Sequence, residues 1–426
     1  VFCHCAAVAF LSLTGCNRSD SGDPALASAA PPASSAPKRI RCESVAGGPV
    51  RFGADSAEDD ERALLLAPEL GGLAPLPDGV AIGLLLTDGE GTEAALARVD
   101  ARAFAARTTR LGRVHGGAAP PKVVASGDGI IAAVNDSDAA GSTLRLARLD
   151  RDATQAARSR DFSVGRKTTG AFDVGLSGGR GLLVWDAEES RSGRGAVYAV
   201  TFDPNDLEKT SEPQTVAATE GDDAEAPRLL ARKGGYWLLW AAYGKLDRDV
   251  SIDADAGGVL DPVPRFIRAV PLDATGDALG EPRTLTAEAR RVLSFDTAVN
   301  ESGKLLLSFR HDADRPGIAS AEVHLTALGM DGNVGTRTLE NERLSAGSPT
   351  LLVDATPPKG TPASFLVLPG QEGTSEVLSL DAEGHPRGSW FTGAALAGDI
   401  VAARSGQFLL VRDKGSVIEL AAARCR

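Results

Sequence analysis

The sequence is poor in the residues that usually mark chemistry. Of its 426 residues, five are His, five Cys, four Trp, three Tyr and one Met, and aromatics make up 5%. No His-x-x-x-His or Cys-x-x-Cys pair occurs, so the common zinc-ligand spacings are missing. No glycine-rich loop leads into Gly-Lys-Ser or Gly-Lys-Thr, which removes the usual phosphate cradle. Positive charge is also short: 45 Lys and Arg face 57 Asp and Glu, for a net charge of −12. Phosphate backbones need clustered positive charge, so a nucleic-acid partner is excluded as a general function.

What the chain does have is punctuation. It carries 48 Gly and 24 Pro, separating many short apolar runs. That pattern points to an all-β body rather than a helical bundle.

Residues 1–15 carry no formally charged side chain, and their apolar core is too short to span a bilayer. It ends at Leu13-Thr14-Gly15-Cys16. This resembles the lipobox of bacterial lipoproteins. The resemblance implies cleavage before Cys16, lipid on its thiol, and a membrane partner reached through that anchor. Asn17 follows rather than Asp, which under the same resemblance favours the outer membrane as the address within the cell envelope. Residues 16–38 are rich in Ser, Ala and Pro. They hold too little apolar surface to pack and are expected to form a disordered tether.

From 39 onward a unit recurs. A turn, often with Gly, leads into a strongly apolar strand at 79–85, 127–133, 179–185, 234–240, 303–309, 363–369 and 406–412. A later strand ends in an apolar residue plus Asp in six of the seven: Val99-Asp100, Leu149-Asp150, Phe202-Asp203, Leu272-Asp273, Met330-Asp331 and Leu380-Asp381. Asp caps its own backbone in a tight turn, and Gly276, Gly332 and Gly384 supply the positive φ such turns use. Leu182-Leu183-Val184 and Leu305-Leu306-Leu307 are apolar on both strand faces, as strands covered on both sides must be. Seven copies near a 50-residue period predict a seven-bladed β-propeller over 39–426. Gly175-Leu176-Ser177-Gly178-Gly179 matches the hydrolase nucleophile elbow in letters. It occupies the recurrent inter-strand turn, however, and not the strand-turn-helix that chemistry needs.

The last unit lacks a fourth strand, and the segment 39–45 precedes the first unit with no blade of its own. Closure by the N-terminal strand in the last blade removes two open sheet edges. Outside residues 1–16 only Cys42 and Cys425 remain. They sit on the two segments that closure brings together, and they are expected to form a disulfide in an oxidising compartment.

No catalytic residue is assigned. The loops after the strong apolar strands carry Asp88, then Asp136 and Asp138, then Asp186 and Glu188, then an insertion at 244–264 with Asp247, Asp249, Asp253 and Asp255, then His311 and Asp312. In a propeller these loops share one end, so they form a candidate acidic binding rim. Asp253-Ala254-Asp255-Ala256-Gly257 resembles a fragment of a calcium loop, which makes calcium the one cofactor the sequence raises. Three functions stay open. One is a non-catalytic binding or scaffold lipoprotein, with an envelope protein or cationic ligand as partner; it is similar in plan to the propeller lipoprotein of outer-membrane assembly. Another is an envelope lyase or glycosidase using two carboxylates at the channel mouth. The third is a passive surface stalk.

Overall fold

A strand turns successive side chains to opposite faces, so one that is apolar at every position must be covered twice. In the computed structural model, seven small antiparallel sheets stand in a ring and cover such strands between neighbours, as a seven-bladed β-propeller. The structure describes residues 38–425 except 51–68, 89–90, 101–105, 116–117, 128, 139–140, 154–155, 166–169, 189–194, 218–222, 244–264, 288–291, 313–320, 333, 340–347, 355, 370–374, 397–398 and 414–417. All of these lie in one unit, Lys38–Arg426. The leader at 1–15 and the tether, apart from Lys38, fall outside the described residues.

Strand β1 (Lys38–Val50) precedes the first blade. Blade one is β2 (Glu69–Leu76), β3 (Gly79–Asp88), β4 (Gly91–Asp100) and β5 (Ala106–Val114). Blade two is β6 (Lys122–Ser126), β7 (Gly129–Asp138), β8 (Gly141–Asp150) and β9 (Ala156–Gly165). Blade three is β10 (Phe172–Ser177), β11 (Arg180–Glu188), β12 (Gly195–Asp203), β13 (Asp206–Thr210) and β14 (Gln214–Ala217), the last two both pairing with β12. Blade four is β15 (Asp223–Arg232), β16 (Gly235–Tyr243), β17 (Arg265–Asp273) and β18 (Arg283–Thr284). Blade five is β19 (Val292–Val299), β20 (Leu305–Asp312), β21 (Ala321–Leu328) and β22 (Val334–Leu339). Blade six is β23 (Thr350–Val353), β24 (Ser364–Pro369), β25 (Ser375–Leu380) and β26 (Pro386–Thr392). Blade seven has β27 (Asp399–Arg404), β28 (Gln407–Asp413) and β29 (Ile418–Cys425) of its own. Helix among the described residues is confined to a short 3-10 turn at Ala394–Leu396. The first strands of the blades touch in order around the ring, and β27 returns to β2. They therefore line the central channel.

The core is seven apolar layers, one per blade–blade interface. Leu183 and Trp185 face blade two with Ile131 and Ala133, while Leu182 and Val184 face blade four with Leu238 and Trp240. Trp237 and Leu239 then face blade five with Leu305 and Leu307, and Leu306 faces blade six with Leu366. The alternation explains why the second strands are apolar on both faces through their middles. Each fully buried Leu contributes about 1.5–3 kcal/mol of transfer free energy. The turns behave as their residues require. Asp203 accepts from Asn205 N at 2.8 Å, Asp273 from Thr275 N at 2.7 Å, and Asp381 from Glu383 N at 3.0 Å. Gly276, Gly332 and Gly384 follow with φ of 87°, 79° and 79°.

Closure falls to β1. Its Cys42–Val50 part runs antiparallel to β29 with Cys42 opposite Cys425, interrupted by a bulge between Ser44 and Ala46. It supplies the strand that blade seven lacks. Its first part, Lys38 to Arg41, runs parallel to β26, joining blades six and seven into one eight-stranded sheet. Cys42 and Cys425 form a disulfide across 383 residues of chain, and Cys42 is buried in the layer between blades six and seven. Chain-entropy reasoning assigns a cross-link of that span about 5–6 kcal/mol, the larger share acting on the unfolded chain. Cys42→Ala is therefore expected to lower the melting temperature of the oxidised protein clearly, and reductant should bring wild type down to the level of the variant. Equal melting of oxidised and reduced wild type would contradict this.

Candidate functional site

Because every first strand descends and every second strand returns, the second strands all end at the same end of the ring, here called the upper face. The first strands begin there. Asp88, Asp136, Asp138, Asp186, Glu188, His311 and Asp312 all lie at or near the ends of β3, β7, β11 and β20, one strand out from the channel. The side chains of Asp88, Asp138, His311 and Asp312 are not among those described. Asp247, Asp249, Asp253 and Asp255 lie outside the described residues. Their insertion leaves from Tyr243 and returns at Arg265, which are paired across β16 and β17 on the upper face.

The described rim carboxylates are largely committed to neighbours. Asp136 Oδ1 accepts from His115 N at 2.9 Å and lies 2.8 Å from His115 Nδ1. Burial pushes its pKa up, but the His115 N–H, the His115 ring and Arg145 outweigh that and hold it below the usual value. Asp186 is 1% exposed, and its Oδ2 accepts at 2.8 Å from the N–H of Ala226. Ala226 sits in a left-handed turn with φ 51°, at the bulge in β15, so this bond pins a costly conformation and ties blade three to blade four. Asp223 Oδ1 accepts from Gly195 N in the same way. Glu188 is exposed.

Glu225 completes this group, and sequence reasoning did not pick it out. Burial raises its pKa first, and Asp223 and Asp186 raise it further, against a hydrogen bond from Tyr243 and the charge of Arg265. The Arg265 guanidinium lies over the Tyr243 ring, 5.9 Å from its centroid. Asp223, Tyr243 and Arg265 are cross-strand neighbours in three adjacent strands. The only signal in the sequence was that strand β15 begins Asp-Ala-Glu where other first strands begin with fewer charges.

A second charged group lies inside the channel. Lys122 on β6, Asp173 on β10, Arg228 on β15 and Asp296 on β19 come from the first strands of four consecutive blades. Lys122 feels Asp173, Arg228 and Asp296. Side chains from blades two and five can meet only across the channel. Asp173 Oδ2 accepts from Leu229 N at 2.8 Å and Oδ1 from Val174 N at 2.9 Å. Asp296 Oδ2 accepts from Leu351 N at 2.7 Å. Each carboxylate thus bridges to the first strand of the next blade. Burial lowers the pKa of Lys122 and raises that of Asp296, in both cases as the leading cause.

Two other features do not bear on this face. Ser177 closes the β10–β11 hairpin; its hydroxyl donates to Arg232 O at 2.8 Å and accepts from Gly235 N at 3.0 Å. That is a latch between blades three and four in a strand-turn-strand setting. A cleft of about 410 Å³ opens at the opposite end between blades seven and one, bounded by Asp78, Val99, Arg404 and Phe408. Among the described residues no three His, Cys, Asp or Glu side chains are grouped as a metal ion would need.

No family model and no curated protein matches the sequence. Solved structures do. The chain is similar to the polysaccharide lyase Uly1, with 12% identity over 84% of this chain and 90% of that one, at a TM-score of 0.52. It also matches the β-propeller domain of the Trilobed protease from Pyrococcus furiosus, with 11% identity over 84% of this chain and 94% of that one, at a TM-score of 0.45. At such identities the likeness to Uly1 speaks for the fold alone.

The electrostatics of Glu225 make a stability prediction. Its folded pKa is raised above the ordinary value of 4.5, so the folded state binds a proton where the unfolded state has lost it. Stability is then unaffected below the ordinary value, falls as pH rises above it, and stays reduced beyond the raised folded value. Glu225→Gln removes that loss. The variant is expected to melt higher than wild type at neutral pH, with the gap closing as pH falls to about 4. Thermal melts across that range check this; a gap that does not change with pH would contradict it.

Proposed function

We propose that the protein is an envelope lipoprotein, tethered through Cys16, whose propeller binds a partner on its upper face without catalysing a reaction. The observation that carries the reading is how the rim carboxylates are used. Asp136, Asp186 and Asp223 are each fixed by a backbone N–H, the latter two from a neighbouring strand of another turn of the chain. They build a rigid acidic face rather than standing as a free pair. Carboxylates outnumber cations around Glu225, so the face favours a cationic ligand or a basic patch on an envelope protein. The Cys42–Cys425 disulfide fits an oxidising compartment.

A second reading, an envelope carbohydrate-active enzyme, draws on Glu225. A carboxyl with raised proton affinity beside Tyr243 is chemically suited to donate a proton, and Uly1, of the same fold, is a polysaccharide lyase.

One set of experiments separates the readings. Wild type is expected to sediment with membranes and carry acyl mass on Cys16, and Cys16→Ser to become soluble. The soluble full chain should bind an oligolysine peptide, more weakly in high salt and in the Glu188→Gln/Glu225→Gln variant. A soluble wild type without acyl mass ends the tether. Salt-independent binding, or binding unchanged in the double variant, ends the acidic-face reading. Unsaturated or reducing sugar released from polysaccharides and lost in Glu225→Gln would establish the enzyme instead.

A further inference from the structure

A strand that closes a ring can be held by its side chains, by its backbone or by a covalent bond. The closing strand β1 has little of the first. Among its described side chains only Cys42 is buried; Ile40 is partly covered, and Arg41, Glu43, Ser44 and Val45 are exposed. Its partner β29 buries Leu420, Ala421 and Ala423. A strand segment that buries so little apolar surface gives up little transfer free energy on leaving. The backbone ladder from β1 to β29 is itself interrupted by the bulge after Ser44. The Cys42–Cys425 bond is then the strongest hold on this strand.

The seam that β1 closes is thin as well. From blade seven its layer buries Val411 and Leu420, with Val401 and Leu409 only partly covered. The cleft of about 410 Å³ opens into the same seam, and Arg404 reaches over to the carbonyl oxygens of Pro77 and Gly79. The other side of blade seven is firmer. Phe408 meets Phe365 and Phe391 of blade six edge-on, at centroid separations of 5.1 and 6.0 Å. Losing β1 therefore weakens the seam with blade one more than the interface with blade six.

We propose that the Cys42–Cys425 disulfide is a redox latch. A dithiol reductant releases β1, uncovers the edge of β29 and loosens the ring between blades seven and one, while the other blades keep their packing. A thiolate of the reductant attacks one sulfur of the pair. The S–S bond breaks, a mixed disulfide forms, and the displaced cysteine leaves as a thiolate that takes up a proton. The second thiol of the reductant then displaces the remaining cysteine. Two electrons and two protons have passed to Cys42 and Cys425, and the reductant is left as a disulfide. Cys425 is the more exposed half of the bond and the one an incoming thiolate meets. Release is reversible, because the 13 residues of β1 stay attached to β2 through 51–68 and return as part of the same chain. The latch does not depend on what the upper face binds.

The test is hydrogen exchange read by mass spectrometry on the Cys16→Ser full chain, first oxidised, then reduced with dithiothreitol, then reoxidised. Peptides covering 38–50 are expected to exchange about tenfold faster or more after reduction, with a smaller rise in β27 to β29. Peptides from blades two to five should be unchanged, and reoxidation should restore protection. The Cys42→Ala/Cys425→Ala variant should exchange fast at 38–50 without reductant and should not respond to it. Trypsin gives a second reading, since cleavage after Arg41 should be fast in the reduced protein and in the variant and slow in the oxidised protein. Unchanged protection of 38–50 on reduction would show that the backbone ladder suffices and would overturn the proposal. Loss of protection through all seven blades would overturn it as well, because the bond would then be a staple of the whole fold. So would an equal response to dithiothreitol in the double variant.

Discussion

A ring of sheets has one seam that chain connectivity does not hold, and here the pairing of β1 with β29 holds it. Six interfaces join blades that follow one another in sequence. The seventh, between blades seven and one, joins the end of the chain to its beginning. Without β1, blade seven would expose β29 as an unpaired edge, with a row of N–H and C=O groups open to any other strand. The Cys42–Cys425 bond fixes that pairing where β1 leaves β26 and turns to β29. Arg404 adds a latch on the lower face, donating from blade seven to the carbonyl oxygens of Pro77 and Gly79 in blade one.

The rest of the geometry follows from closure. First strands are held against one another around the axis, so their side chains are placed by the ring and not by their own sheet. That is why Lys122, Asp173, Arg228 and Asp296 share one lumen although 174 residues separate the first from the last. It is also why Asp186, Asp223 and Glu225, from two blades, meet at one corner of the upper face. The carboxylates that bridge blades do two things at once. They satisfy backbone N–H groups of neighbouring blades, and they add to the field in which Glu225 and Lys122 titrate.

Much of the fold was legible because it repeats. Leu182-Leu183-Val184 and Leu305-Leu306-Leu307 read as strands covered on both faces, and the structure places their alternate residues in two different layers. Asp203, Asp273 and Asp381 read as turn caps and are turn caps. Two cysteines on segments without partners identified the seam. The parallel run of Lys38 to Arg41 beside β26 was not legible, since nothing in the letters distinguishes a strand that changes partners halfway. Nor were the channel charges. Each of the four stands alone in its own strand, at no fixed spacing, and only the closed ring brings them together. Glu225 was missed for a related reason: its environment is made by Asp186 from another blade and by Tyr243 and Arg265 on either side of a long insertion.

Closure itself is tested most directly by mass spectrometry of the oxidised protein, digested without reductant and with free thiols blocked. The account predicts one cross-linked pair of peptides, carrying Cys42 and Cys425, that separates on reduction. Blocked free thiols at both positions in folded protein would contradict it.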